Sequence, residues 1–183
     1  MKKRWLPLLM VFLMGCSARN PAMEAALELR GRCLAAQQVR FRAGISADYI
    51  DRIESFSLEC THNADGTMSF LVLGPADIEG IGGSVSGTEG TVEFDDTVLA
   101  FPLMAEGRLS PLSGPWVLMK ALCSGNILAA GQEGELMHLT IDDSYADKAL
   151  TVDLWLRDGL VCEAEIAWEG LRCLTMTVEE FSA

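Results

Sequence analysis

The chain has few of the residues that chemistry usually needs. Its 183 residues include only two histidines, and aromatic side chains make up 7% of the total. A zinc site takes three or four Cys, His or carboxylate ligands, and His62 and His138 stand alone or in poor company. Cys60, His62 and Asp65 come nearest to such a set, and the same trio reads equally as a strand end running into a polar turn. No metal and no cofactor is expected. Positive charge is scarce too: 14 Lys and Arg face 26 Asp and Glu, a net charge of −12. That balance excludes nucleic acid as a partner, because affinity for it comes from neutralising phosphates with Lys and Arg. The apolar run from Trp5 to Met14 is too short to cross a bilayer, which takes roughly twenty residues. Low-complexity segments are absent.

Catalytic motifs are missing as well. The run Gly82-Gly83-Ser84-Val85-Ser86-Gly87 fits neither a nucleophile elbow nor a phosphate loop, since no Lys and no helix follow it. Asp95-Asp96, Asp142-Asp143 and Glu163 with Glu165 offer paired carboxylates for acid/base work. In a chain this acidic, such pairs read first as neighbours on a wet face or turn. The chain is therefore not expected to be an enzyme.

What is present begins at the N-terminus. Lys2, Lys3 and Arg4 precede the apolar run, which is the layout of a secretory signal. The run ends in Leu13-Met14-Gly15-Cys16, which resembles the bacterial lipobox. The resemblance implies cleavage after residue 15 and a diacylglyceryl group on the Cys16 sulfur, so that the protein is held to a membrane by lipid. The alternative is an ordinary secretory signal cleaved near Ala18. Without the signal, 11 basic residues face 26 acidic ones, a net of about −15. The first part of the mature chain is mildly basic, with Arg19, Arg30, Arg32, Arg40 and Arg42 against Glu24 and Glu28. These arginines read either as a solvated face or as neighbours of anionic headgroups. Five cysteines remain, Cys33, Cys60, Cys123, Cys162 and Cys173, an odd number with no framework spacing, so buried reduced thiols are the default.

Residues 1–15 are thus read as signal, 16–22 as a lipidated tether and 23–183 as one α+β domain. Pro21 to about Ala36 is predicted as a helix, with Met23, Ala26, Leu27 and Leu34 at helical spacing. The period then changes to two. Val39, Phe41, Ala43 and Ile45 alternate with Arg40 and Arg42, and Phe56, Leu58 and Cys60 with Ser55, Ser57 and Glu59, as in antiparallel strands buried on one face. Asn63-Ala64-Asp65-Gly66 supplies a turn, and Thr67 to Leu73 is read as a strand apolar on both sides. Glycine punctuates residues 74–90, and strands follow around Val92 to Phe94 and Val98 to Phe101.

Trp116 to Ser124 is predicted as a helix bounded by Pro115 and Gly125, apolar on nearly every face with Lys120 its only charge. A helix of that kind must be buried. It is either a plug in the hollow of a curved sheet or a lid over a cavity. Further strands are predicted at 135–142, 150–157, 160–168 and 172–178. In the last hairpin, pairing Trp168 with Arg172 across Glu169-Gly170-Leu171 keeps Cys162, Ala164, Ile166 and Trp168 on one face with Leu174, Met176 and Val178. A three-residue loop is expected there, in a sheet of about eight strands.

Taken in order, the lipobox, the N-terminal helix, the alternating strands, Gly74-Pro75 leading to Gly80-Ile81, the central apolar helix and the hairpin at Trp168-Glu169-Gly170 resemble the LolA/LolB lipoprotein carrier and receptor family. No family binding residue can be placed on a position of this chain. The resemblance implies a strongly curved antiparallel sheet, a half-barrel, with the N-terminal and central helices covering its concave face. It also implies an apolar cavity that accepts acyl chains. Phe41, Phe56, Phe70, Trp116, Met119, Ile166 and Trp168 are the residues expected to line that cavity. The function expected is a membrane-anchored extracytoplasmic lipoprotein that binds a lipid or other apolar ligand. The alternative is a filled core whose acidic face docks a protein partner. Ser17 stands where an aspartate often retains lipoproteins at an inner membrane, so an outer membrane is expected if the cell has two.

Overall fold

The computed structural model describes residues 20–49, 52–105, 108–143 and 150–183. Cys16, Arg19 and the whole predicted signal lie outside them. The chain runs through α1 (Pro21–Ala35), β1 (Gln38–Tyr49), β2 (Arg52–Asn63), β3 (Met68–Gly74), β4 (Gly82–Ser86), β5 (Glu89–Phe94) and β6 (Thr97–Pro102). A small hairpin, β7 (Met104–Ala105) and β8 (Arg108–Leu109), leads to α2 (Gly114–Ser124). The second half is β9 (Asn126–Glu133), β10 (Leu136–Asp142), β11 (Leu150–Arg157), β12 (Leu160–Trp168) and β13 (Leu171–Ser182).

Eleven strands form one antiparallel sheet in the order β6-β5-β4-β3-β2-β1-β13-β12-β11-β10-β9. It is an open α+β half-barrel: two meanders joined along a single seam, β1 against β13. The seam places Ile45 opposite Met176 and Ala47 opposite Leu174, while β2 places Phe56 opposite Ile45 and Leu58 opposite Ala43. Val39, Phe41, Ala43, Ile45 and Ala47 are all buried, as their alternation predicts. On β3 only Met68, Phe70 and Val72 point into the core, and Leu71 is exposed, so that strand is buried on one face and not on both.

Tight turns give the sheet its economy. Asp95-Asp96, Asp158-Gly159 and Glu169-Gly170 each hold both central residues at positive φ, the backbone of a type I′ hairpin turn. The pair Asp95-Asp96 is therefore a turn. The last hairpin corrects the predicted three-residue loop. Trp168 pairs with Leu171 across two residues, and a bulge at Cys173 then restores the face, leaving Leu174 opposite Ile166. A second bulge at Cys162 turns Val161 inward where Cys162 was expected, and the Cys162 thiol donates to the Trp155 carbonyl.

α1 begins where Asn20 caps it, its side chain accepting from the amides of Ala22 and Met23 and donating to the Ala130 carbonyl. The folded body thus includes Asn20. The buried stripe is Ala22, Ala26, Leu29 and Cys33; Leu27 and Leu34, predicted on the apolar face, are exposed. Small residues in the stripe let α1 lie close against β9, β10 and α2. Four of the five early arginines make contacts within the fold: Arg30 and Arg32 reach carbonyls, Arg40 reaches Gln38 and Arg42 reaches Glu180.

α2 fills the hollow. Val117, Leu118, Met119 and Ala121 are wholly buried. Gly114 lets its first turn settle on the sheet, since a Cβ there would meet the Leu174 side chain at 3.0 Å. Lys120 leaves this apolar surroundings by pairing with Asp143 at 3.0 Å and lying 5.5 Å from the Trp116 ring. The Trp116 indole donates to the Gly66 carbonyl at 3.0 Å, tying α2 to the β2–β3 turn.

Candidate functional site

Six of the seven residues expected to line a cavity belong to one packed cluster. Phe41, Phe70, Trp116, Met119 and Ile166 are buried in it, and Phe56 packs against its edge. Trp168 ends β12 at the hairpin, half-buried. Phe41 is stacked on Phe181, ring centroids 5.7 Å apart, because a bulge at Glu180, held at positive φ, turns Phe181 inward. Here the concave surface is closed by its own side chains and α2.

The open apolar space lies further along the same surface. β4, β5 and β6 extend the sheet beyond β3, and, among the described residues, 108–112 lie across the concave face of β5 and β6. A cleft of ≈ 470 Å³ opens there, lined by Val92, Phe101 and Pro102 on one side and Leu109, Pro111 and Leu112 on the other. Arg108 and Ser110 supply its polar atoms. Strand pairing puts Val92 beside Leu99, so Leu99 and Phe94 continue the apolar face past the cleft. Phe94 is 64% exposed and Leu99 58%. Contiguous apolar surface left in water marks a place where something binds.

Glycine shapes the cleft wall. Gly90 stands opposite Phe101, and a Cβ at Gly90 would lie 2.2 Å from the Phe101 ring, so the ring rests directly on bare backbone. Gly83 gives Phe70 the same seat one strand pair further in. The opposite wall is fixed by the Leu103 amide on the Thr88 carbonyl at 3.3 Å and the Ser110 amide on the Leu103 carbonyl at 2.8 Å. The buried Leu109 and Pro111 then lead into α2. Of the cleft residues, Val92 and Phe101 were legible only as members of short strands, and Leu109 and Leu112 were not singled out.

A smaller hollow of ≈ 300 Å³ lies between α1, α2 and the β2–β3 turn, bordered by Cys33, His62, Trp116, Lys120 and Cys123. Burial pushes the Cys33 thiol up to about 12, with the nearby Cys123 adding to the rise, and burial also raises Cys123. Burial lowers the pKa of His62, and Asp65 opposes that shift. Asp65 is itself held by the Thr67 hydroxyl at 2.7 Å and amide at 2.9 Å, as a turn residue. Cys60 points into the core, with its thiol raised to about 12 by burial. The five described cysteines are free thiols. Among the described residues, no three His, Cys, Asp or Glu side chains gather as metal ligands. His138 bonds Asp153 at 2.9 Å on the opposite face of the sheet.

No family model matches the sequence, and no curated protein matches it. Several solved structures align over most of the chain at low identity. A LolA superfamily protein from Nitrosomonas europaea aligns at TM-score 0.46 and 9% identity, over 88% of this chain and 92% of that one. The lipoprotein LppX of Mycobacterium tuberculosis aligns at 0.41 and 13%, over 89% and 96%. LprF from Mycobacterium bovis aligns at 0.43 and 11%, over 89% and 93%.

Proposed function

We propose that the chain is an extracytoplasmic lipoprotein, anchored to a membrane through Cys16, that holds an apolar molecule such as an acyl chain in the cleft between β5, β6 and residues 109–112. The observation that carries this reading is the mismatch between sheet and cover: the concave face is apolar along its length, and the helices stop short of Val92, Phe94, Leu99 and Phe101. Burial of an acyl chain there gains about 0.8 kcal/mol per methylene, so binding needs no chemistry beyond desolvation. Phe41, Phe56, Phe70, Trp116, Met119 and Ile166 act as the packed core behind the cleft, and Trp168 stands apart at the β12–β13 hairpin. The anchor leaves the cleft outside the bilayer, where a loaded ligand is shielded from water.

The test is native mass spectrometry of residues 17–183, which keeps every described element, Asn20 being the first described residue. A copurifying lipid mass is expected. It should be lost in Val92→Glu and Leu112→Glu variants that retain the parent melting curve. A chain that carries no lipid, and takes none up from phospholipid vesicles, would sink the proposal. For the anchor, Cys16→Ala should move the protein from the membrane to the soluble fraction.

A further inference from the structure

The face of the sheet turned away from the helices carries a hollow of its own, of ≈ 600 Å³. Its floor consists of short side chains on neighbouring strands. Gly44 lies beside Thr177, and Ser46 lies between Ser55 and Thr175. The Thr177 hydroxyl donates to the Gly44 carbonyl at 3.4 Å, and a Cβ at Gly44 would stand 2.6 Å from it, so the floor cannot rise at that point. An exposed sheet face ordinarily carries long polar side chains, and here the middle of it is cut low.

One wall is Trp155, held in two directions. Its indole N–H donates to Glu133 at 2.8 Å, and one side of its ring stacks on His138 with centroids 4.8 Å apart and planes at 20°. The other side of the ring is left to the hollow, which Trp155 lines and His138 does not. Glu163 and Glu165 complete the rim. Glu165 already accepts from the guanidinium of Arg172 at 3.2 Å, so a cation fits beside this rim without strain.

We propose that this hollow docks a basic polypeptide segment, with one Lys or Arg side chain entering against the Trp155 ring between Glu133 and Glu163. Three features select that occupant. The ring of a tryptophan attracts cations over its face, and a fixed aromatic in a small depression is the usual anchor of a protein interface. Glu133 at the indole N–H and Glu163 across the strand pair from Trp155 supply charge-assisted partners. The chain as a whole carries 26 acidic residues against 14 basic ones, so its field draws in a positive partner and repels an anionic one. This surface lies on the opposite side of the sheet from the apolar cleft and stands or falls independently of it.

The experiment is calorimetric titration of the full-length chain, in non-ionic detergent at low salt, with hexalysine and with hexaglutamate. Hexalysine should bind and hexaglutamate should not. The double variant Glu133→Gln/Glu163→Gln should weaken hexalysine binding by at least about ten-fold, as loss of close charge pairs does. The double variant Glu89→Gln/Glu93→Gln removes the same net charge from β5 and should change it less than about two-fold. Trp155→Leu should also weaken binding, and Glu163→Gln alone serves if that variant fails to fold. Equal weakening by the two double variants, or no binding of hexalysine, would overturn the proposal. Spermidine binding as tightly as the peptide would overturn the choice of a polypeptide.

Discussion

Arg30 of α1 donates from Nε to the carbonyl of Leu122, 2.6 Å away near the end of α2, and from Nη2 to the Gly125 carbonyl at 2.8 Å. Carbonyls at a helix C-terminus have no partner within the helix and carry partial negative charge. One arginine therefore joins the two helices and neutralises the end of the buried one.

Arg30→Leu should lower the free energy of unfolding by about 2 kcal/mol, the usual worth of hydrogen bonds to a charged group whose loss leaves acceptors unpaired. Urea denaturation reads this directly. Leu34→Gln, at an exposed position on the same helix, should leave the midpoint unchanged.

Two glycines should respond in opposite directions to the same change. Gly31 sits in the interior of α1 with open space around its Cβ position, and Gly31→Ala should stabilise the protein by about 1 kcal/mol. Gly125 follows α2, where a Cβ would lie 2.4 Å from Ile141 Cγ2 and 2.6 Å from the Ala121 carbonyl oxygen. Backbone cannot give way there, so Gly125→Ala should destabilise by about 1–3 kcal/mol or more. Thermal melts of the two variants check both signs.

Asp143 governs part of the pH dependence. Burial holds its carboxyl above the ordinary 3.8, against the opposing pull of Lys120. In the window between 3.8 and the raised value the folded state binds more protons than the unfolded state, so this group's contribution falls as pH rises. The difference in stability between the parent and Asp143→Asn should therefore grow as pH is lowered from neutral towards 3.8. A difference that shrinks on acidification would contradict the assignment.

Thiol labelling should separate folded from unfolded chains sharply. Cys33 and Cys60 have thiols raised to about 12 and are buried in the core, so almost no thiolate exists at neutral pH. Iodoacetamide should leave both unlabelled in the native protein over a period that modifies them fully in 6 M guanidinium, as peptide mass mapping would show.

The sequence carried the central architecture because its strands announce themselves locally. Val39 to Ala47 alternates without a break, and Pro115 and Gly125 bracket an apolar run that has nowhere to go but inside. What stayed hidden was set by neighbours. β9 was missed because it is an edge strand whose Leu128 and Ala129 face water, so no alternation marks it; β4 was missed as well, and the sheet has eleven strands where about eight were expected. The final hairpin was read onto the right face by the wrong turn, since the bulge at Cys173 allows both a tight turn and an inward Leu174. The cleft shows the same limit. Val92 and Phe101 were recognised as strand residues, but how far a helix reaches along a sheet depends on docking, and Arg30 and Gly125 set that docking from distant parts of the chain.

The seam between β1 and β13 has a consequence for how the molecule comes into being. The strand that zips the two meanders together, β13, is separated from its partner β1 by every other strand of the sheet in chain order. Pairing across that distance must wait for all the intervening strands and is slow by its nature. Until it happens, β1 has a bare edge. A nascent or truncated chain ending before Leu171 therefore remains open to chaperones, proteases and export machinery, and maturation is timed by the arrival of β13.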